Sequence, residues 1–112
     1  MNRSLLLVLF SLTALGAHSI AEETNVVGSA SIKTGRSLFL KNCAHCHGDD
    51  ARGDEGPDLH GLKKSDDWIA RRIRNGVKGE MPAFGEKFSQ SDVEGLIGYL
   101  RSLSLPDNRM GH

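Results

Sequence analysis

Apolar residues recur at helical spacing in three stretches of the chain. In "SQSDVEGLIGYLRSLSLPD" (89–107), Val93, Leu96, Ile97, Leu100 and Leu103 fall at i, i+3, i+4, i+7 and i+10. That is the apolar stripe of an amphipathic helix. Ser91 with Glu94 reads as its capping box, and Pro106 as its end. In "SDDWIARRIRNG" (65–76), Ile69 and Ile73 form an i, i+4 pair beside Trp68. Ser65 can cap this helix, Asp66 and Asp67 suit the positive end of its dipole, and Gly76 can stop it. The stretch "IKTGRSLFLKNCAHCHG" predicts a helix over 32–45, with Gly48 beyond its end and Phe39 and Cys43 one turn apart. Polar alternation is missing from 22 onward, so no strand is predicted. The pieces between are loop-like. Residues 48–64 hold four glycines, a proline and five acids, and "VKGEMPAFGEKF" (77–88) holds two glycines and a proline. The expected fold class is all-α, three or more helices joined by long loops. Loops this long in a small domain call for an organiser.

The first residues belong to a different pattern. A short basic start is followed by the uncharged run "LLLVLFSLTAL" and by "SIA", with small residues at Ser19 and Ala21. This is the layout of a secretory signal peptide cleaved near Ala21. The run is short for a membrane span, which needs roughly 20 apolar residues, so an uncleaved anchor is the lesser alternative. The expected organisation is a signal peptide over 1–21, a flexible leader over 22–31, one domain over 32–105 and a tail over 106–112. All 14 acidic residues lie beyond Ala21 and one of the 14 basic ones, Arg3, lies before it, so the mature chain is slightly acidic. That balance excludes the strongly basic domains that bind nucleic acid. With aromatics at 5% and few residues to bury, the core is small and gains from a cofactor or cross-link.

The chemistry is concentrated in "KNCAHCHGDD". Both cysteines of the chain, Cys43 and Cys46, stand three apart with His47 directly behind. A zinc site would need two more ligands at matching spacing. A redox dithiol belongs at the start of a helix after a strand, and this pair closes a helix in an all-helical chain. A plain disulfide suits an oxidising compartment but leaves His47 without a role. Covalent haem c uses all three residues. Two thiols at this spacing reach the two vinyl groups of one porphyrin, and the next imidazole meets the iron. His47 is then the proximal ligand, and His45 is a spacer within the motif.

A second axial ligand would make such a haem an electron carrier, whereas an open face would admit a gas or peroxide. Past Ala21 the methionines are Met81 and Met110. Met110 stands near the chain end. Met81 lies in a polar loop, where a core-filling methionine is unexpected, and Pro82 behind it stiffens the chain. Met81 is the favoured sixth ligand and His60, in "GPDLHGL", the rival.

On these residues the chain resembles the class I (mitochondrial-type) cytochromes c, in particular the small soluble bacterial monohaem members, over 32–105. The stretch "GRSLFLKNCAHCH" is similar to the family's first helix, and "LIGYLRSL" to its last. The resemblance implies that Gly35 lets these two helices cross closely and that Phe39, Leu96 and Tyr99 seal the crossing. It also implies that the carbonyl of Pro57, in "GPDLHGL", accepts the Nδ1–H of His47, and that "MPAF" is the sixth-ligand loop. The interval from His47 to Met81 is shorter than in mitochondrial members. The haem propionates are therefore expected to be more exposed, with Trp68, Arg71 and Arg72 as candidate partners.

The expected function is that of an exported, periplasmic monohaem cytochrome c carrying single electrons between a redox donor and acceptor. Docking is expected at the haem edge, weak and transient, with the carrier a monomer. Basic residues (Lys63, Lys64, Arg71, Arg72, Arg74, Lys78) and acidic ones (Asp49, Asp50, Asp54, Glu55, Asp58) could each steer a partner. Two alternatives stay open: an electron-entry subunit of a larger dehydrogenase, reductase or oxidase, and a gas sensor or haem enzyme with an open sixth site.

Overall fold

Two glycines decide how the longest helices meet. Helix α1 spans Ala21–Asn42 and the last helix, α4, spans Gln90–Ser102. A Cβ on Gly35 would overlap the carbonyl of Gly95 and stand 2.9 Å from the amide nitrogen of Leu96. Conversely, a Cβ on Gly95 would lie 3.0 Å from the carbonyl oxygen of Ser31. The backbones therefore touch directly, which only a glycine at the crossing permits. Phe39 and Tyr99 flank the contact with ring centroids 5.3 Å apart and tilted by 53°. Phe39, Leu96 and Val93 are the largest fully buried side chains. Burying each contributes about 1.5–3 kcal/mol. The crossing expected of Gly35, Phe39, Leu96 and Tyr99 is thus present.

The structure, a computed structural model, describes Gly16 and residues 21–105. Of the signal-peptide segment over 1–21 only Gly16 and Ala21 are described, and the tail over 106–112, Met110 with it, lies outside the described residues. Two short helices complete the element order: α2 over Ala44–His47 and α3 over Asp66–Asn75. Among the described residues there is no strand, only an isolated antiparallel bridge between Val77 and Met81. The chain is all-α, as its periodicity predicts.

Three boundaries differ from expectation. Residues 22–31, expected as a flexible leader, are helical and continue α1 backward. No proline occurs between Ala21 and Asn42, and an existing helix extends at the cost of one residue per added bond. The helix predicted over 32–45 breaks at Cys43 (φ −120°, ψ −32°), so the attachment motif begins a separate turn, α2. The cap of α4 is Ser89 with Asp92, not Ser91 with Glu94. The Ser89 hydroxyl accepts the Asp92 N–H at 3.2 Å, and the Asp92 carboxylate accepts the Ser89 N–H at 2.9 Å. With Ser89 as cap, the buried Phe88 and Val93 fall at the two positions of a hydrophobic staple. With Ser91 as cap, Gln90 would stand where Phe88 does. Burial of the phenyl ring selects the register.

Helix α3 begins and ends as expected. Ser65 accepts the Trp68 N–H at 3.2 Å, and Gly76 closes the helix with its N–H on the Arg72 carbonyl at 2.8 Å. Ile69 and Ile73 are buried beneath it. Arg101, on the last turn of α4, fastens the loop before α3. It donates to Asp66 and to the carbonyls of Leu62 (2.8 Å) and Lys64 (2.6 Å). Together these contacts leave two loops, 48–64 and 77–88, on which the candidate site is built.

Candidate functional site

The proximal side is assembled from α2 and the loop after it. Cys43 opens α2, and its carbonyl accepts the N–H of Cys46 at 3.1 Å and of His47 at 3.0 Å. One helical turn thus carries both thiols and the imidazole. The chain then folds back over His47. Gly53 N–H donates to the His47 carbonyl at 2.8 Å, and Gly56 N–H to the Cys46 carbonyl at 2.6 Å. A Cβ on Gly56 would lie 2.9 Å from both Cε1 and Nδ1 of His47, so glycine there lets the ring lie against the loop backbone. Sequence reasoning missed Gly56, whose only signal was its place before Pro57.

The loop presents the carbonyl of Pro57 to Nδ1 of His47 at 2.9 Å. A carbonyl can only accept, so Nδ1 carries the proton and Nε2 is left as the donor atom for a metal. Such a bond fixes the ring and raises its basicity. The same loop is closed by Leu59 N–H on the Ala51 carbonyl at 2.8 Å, and Ala51, fully buried, is held at φ +60°. His60 contributes to that closure. Its Nε2 donates to the Asp50 carbonyl at 2.7 Å, and its backbone N–H to the Asp58 carboxylate at 2.8 Å. Its Nε2 is thereby engaged in the loop, which weakens it as the rival sixth ligand.

Burial pushes the Cys43 thiol up to about 11, the neighbouring Cys46 adds to the rise, and Lys87 draws it back. Cys43 is therefore not poised as the attacking thiol of a redox pair. Nor do the described residues assemble a zinc site. His45, Cys46 and Glu55 have their ligand atoms within 4.8 Å of one another, but Cys43 is not among them and no fourth donor joins.

Met81 is half-buried on the 77–88 loop. Its backbone pairs with Val77 through Val77 N–H to Met81 O (2.8 Å) and Met81 N–H to Val77 O (2.9 Å). Beside it is an open cavity of about 480 Å³ bordered by Asn75, Val77, Met81 and Pro82. Trp68, Arg71 and Arg72 border a second cavity of about 270 Å³ with Asn75 and Gly76. Over the Trp68 ring lie the Arg72 guanidinium, 4.7 Å from the centroid, and the Lys64 ammonium at 5.2 Å. Two cations against one indole ring leave positive charge beside that cavity.

Around the buried core runs a rim of half-covered apolar side chains, including Leu59, Leu62, Trp68 and Phe84. A flat apolar group would cover such surface. With thiols one turn apart, a Nδ1-protonated imidazole and a methionine beside a cavity, the donor set fits a covalently held haem.

Comparison with known proteins bears on the same residues. Residues 30–100 match the family described as cytochrome C oxidase, cbb3-type, subunit III. The cbb3-type cytochrome c oxidase subunit FixP of Azorhizobium caulinodans is 34% identical over 80 residues, an alignment covering 63% of this chain and 27% of that protein. Cytochrome c550 of Pseudomonas aeruginosa is 31% identical over 84 residues, covering 68% and 58% respectively. The chain therefore spans well under two thirds of the length of these relatives. Among solved structures, cytochrome cL from Hyphomicrobium denitrificans superposes with a TM-score of 0.64 at 23% identity, covering 69% of this chain and 49% of that one. Cytochrome cL from Methylophaga aminisulfidivorans gives 0.59 at 22% identity, covering 84% and 72%. These two likenesses concern the fold.

Proposed function

The chain belongs to the family described as cbb3-type cytochrome c oxidase subunit III, a family of c-type cytochrome domains whose cofactor is covalent haem c, and from that membership we propose that it carries single electrons between redox proteins. Haem c supplies the one-electron iron couple. The chain's own residues hold, orient and shield it. Cys43 and Cys46 would hold it through two thioethers, and His47 through Nε2 and Met81 through its sulfur would ligate the iron, a donor pair suited to electron transfer. Trp68, Arg71 and Arg72 would take the propionates.

The hydrogen bond from His47 Nδ1 to the Pro57 carbonyl, at 2.9 Å, carries this reading. It fixes the imidazole that follows the Cys-x-x-Cys with Nε2 free to meet an iron, a role that a plain disulfide or a redox dithiol would not call for. Among the described residues no helix is long and apolar enough to cross a membrane. The apolar N-terminal run and "SIA" support export to the periplasm with cleavage near Ala21.

A second reading has a specific basis. The matching family and several relatives are named as oxidase subunits. The domain would then serve as the electron-entry module of a larger assembly rather than as a free carrier. Purification from membranes at high salt separates the two: a free carrier elutes as a monomer, and a module stays with its complex.

The test of the carrier reading is mass and spectrum. The exported protein should carry one haem mass, and its oxidised form should show the red-end charge-transfer band of methionine ligation. Met81→Ala should abolish that band and lower the potential, while Met110→Ala should change neither. An unmodified mass, or the reverse behaviour of the two methionines, would refute the assignments.

A further inference from the structure

We infer that Gly76 is a positioning residue for the Met81 sulfur: the absence of a side chain at 76 lets the end of α3 hold the Met81 backbone in place. The inference rests on Met81 being the sixth ligand.

The loop hangs from the end of that helix. The last carbonyls of any helix lack partners within it. Here the Ile73 carbonyl accepts Phe84 N–H and the Arg74 carbonyl accepts Gly85 N–H, both at 3.0 Å. On the other side of Met81, Val77 takes the N–H of Met81 at 2.9 Å and of Glu80 at 3.0 Å, and returns its own N–H to Met81. The ligand residue thus sits between two sets of backbone bonds that all end on 73–77.

Gly76 stands at the centre of that grip. Its backbone, φ +63° and ψ −162°, lies in a region used essentially by glycine alone. A Cβ there would overlap the Met81 carbonyl and stand 2.7 Å from both the carbonyl carbon and the oxygen of Pro82. These are backbone atoms and cannot swing aside. The helix is the less yielding side, because Ile69 and Ile73 anchor it in the core. A side chain at 76 would therefore displace the Met81–Pro82 segment, and the thioether with it.

Two other glycines provide the contrast. Gly79, in the same loop, has φ +78°, and Gly61 has φ +63°. A Cβ on either meets nothing within 4 Å. They share the positive φ but not the contact.

The experiment compares Gly76→Ala, Gly79→Ala and Gly61→Ala in the haem-loaded protein, using the red-end band of the oxidised form and titration with imidazole. Gly76→Ala should keep its covalent haem and far-ultraviolet circular dichroism, lose intensity in the band, and bind imidazole roughly tenfold or more tightly. The other two should stay within about twofold of the parent. Imidazole binding by Gly76→Ala equal to that of Gly79→Ala would overturn the inference. Should Gly76→Ala not fold, hydrogen exchange on the parent decides. The Val77 and Met81 amides should be protected while the band persists, and exchange as free as at Gly79 would overturn it. Met81→Ala keeps the two claims apart. If it retains the band, the ligand assignment itself fails; if it loses the band and Gly76→Ala behaves as Gly79→Ala, only the role of Gly76 fails.

Discussion

Gly35→Ala places two effects of known size in opposition. Alanine is the better helix former by about 1 kcal/mol, which favours the substitution in α1. Against this, the new methyl would overlap the Gly95 carbonyl and lie 2.9 Å from Leu96 N. Carbon contacts are comfortable at roughly 3.5–4.0 Å, so relieving the carbonyl overlap requires the helices to separate by more than an ångström. Separation opens the contacts of Phe39, Leu96 and Tyr99, and such a gap forfeits about half or more of each dispersion well. Overpacking of this kind costs typically 1–3 kcal/mol, and backbone on both sides puts this site at the upper end. The clash wins, by about 1–2 kcal/mol net, or a fall of roughly 4–16 °C in melting temperature for a domain of this size. Gly28→Ala is the control, because it lies in the same helix with nothing within 4 Å of a Cβ. It should be neutral or slightly stabilising. Thermal melts of the haem-loaded proteins, followed at 222 nm and in the Soret band, measure both. A Gly35→Ala protein that melts at or above the parent would refute the claim that the two backbones touch.

The corrected cap predicts that Ser89→Ala loses about 0.5–2 kcal/mol in a denaturant titration while Ser91→Ala is near neutral; equal losses would restore the other register. Arg101→Ala should cost more than Asp66→Ala, because it also frees the carbonyls of Leu62 and Lys64. A double-mutant cycle should assign the exposed Arg101–Asp66 pair itself less than about 1 kcal/mol, and a larger coupling energy would show that the ion pair, not the carbonyl bonds, fastens the loop.

What could be read from the sequence was local. Ser65 and Gly76 bound α3 because capping needs residues only three or four apart. The α4 stripe emerged because five apolar positions repeat the helical period. The thiols and His47 share one turn, so their spacing alone carried the chemistry. The α4 cap shows the limit. Ser89 and Ser91 each precede an acid by three residues, and only the burial of Phe88, a tertiary fact, chooses between them. The grip of α3 on Met81 was illegible for a stronger reason. It consists of backbone bonds between 73–77 and 80–85, which no side-chain pattern encodes, and the glycine that permits it looks like an ordinary helix stop. Arg101 likewise reads as a solvated charge until its loop partners are in place.

The same arrangement indicates what holds the molecule together. Among the described elements α1 packs on α4 and on the short α2, and α3 packs on α4 alone. Helix α2, which carries the attachment motif, makes no comparable contact with α3 or α4. The loop bearing Met81 hangs from α3, so among the described helices the two halves of the candidate site are joined mainly through the α1–α4 pair, with Lys87 Nζ to Asn42 Oδ1 at 2.6 Å as a direct tie. The apolar rim of that core, with Leu59, Leu62, Trp68 and Phe84, is left only half-covered by the described residues. A haem tied at Cys43, Cys46 and His47 and bound by Met81 would cover that rim and bridge α2 to α3, so attachment and folding should be coupled, as in small metal-dependent domains. A Cys43→Ala/Cys46→Ala chain without haem is left with one helix crossing of consequence, and most helical stability in proteins comes from tertiary packing rather than from propensity. It should show little stable helix by circular dichroism and no cooperative melt. A haem-free double variant with the parent's spectrum and a sharp transition would mean that the α1–α4 crossing suffices, and that the haem is a passenger in the fold rather than its centre.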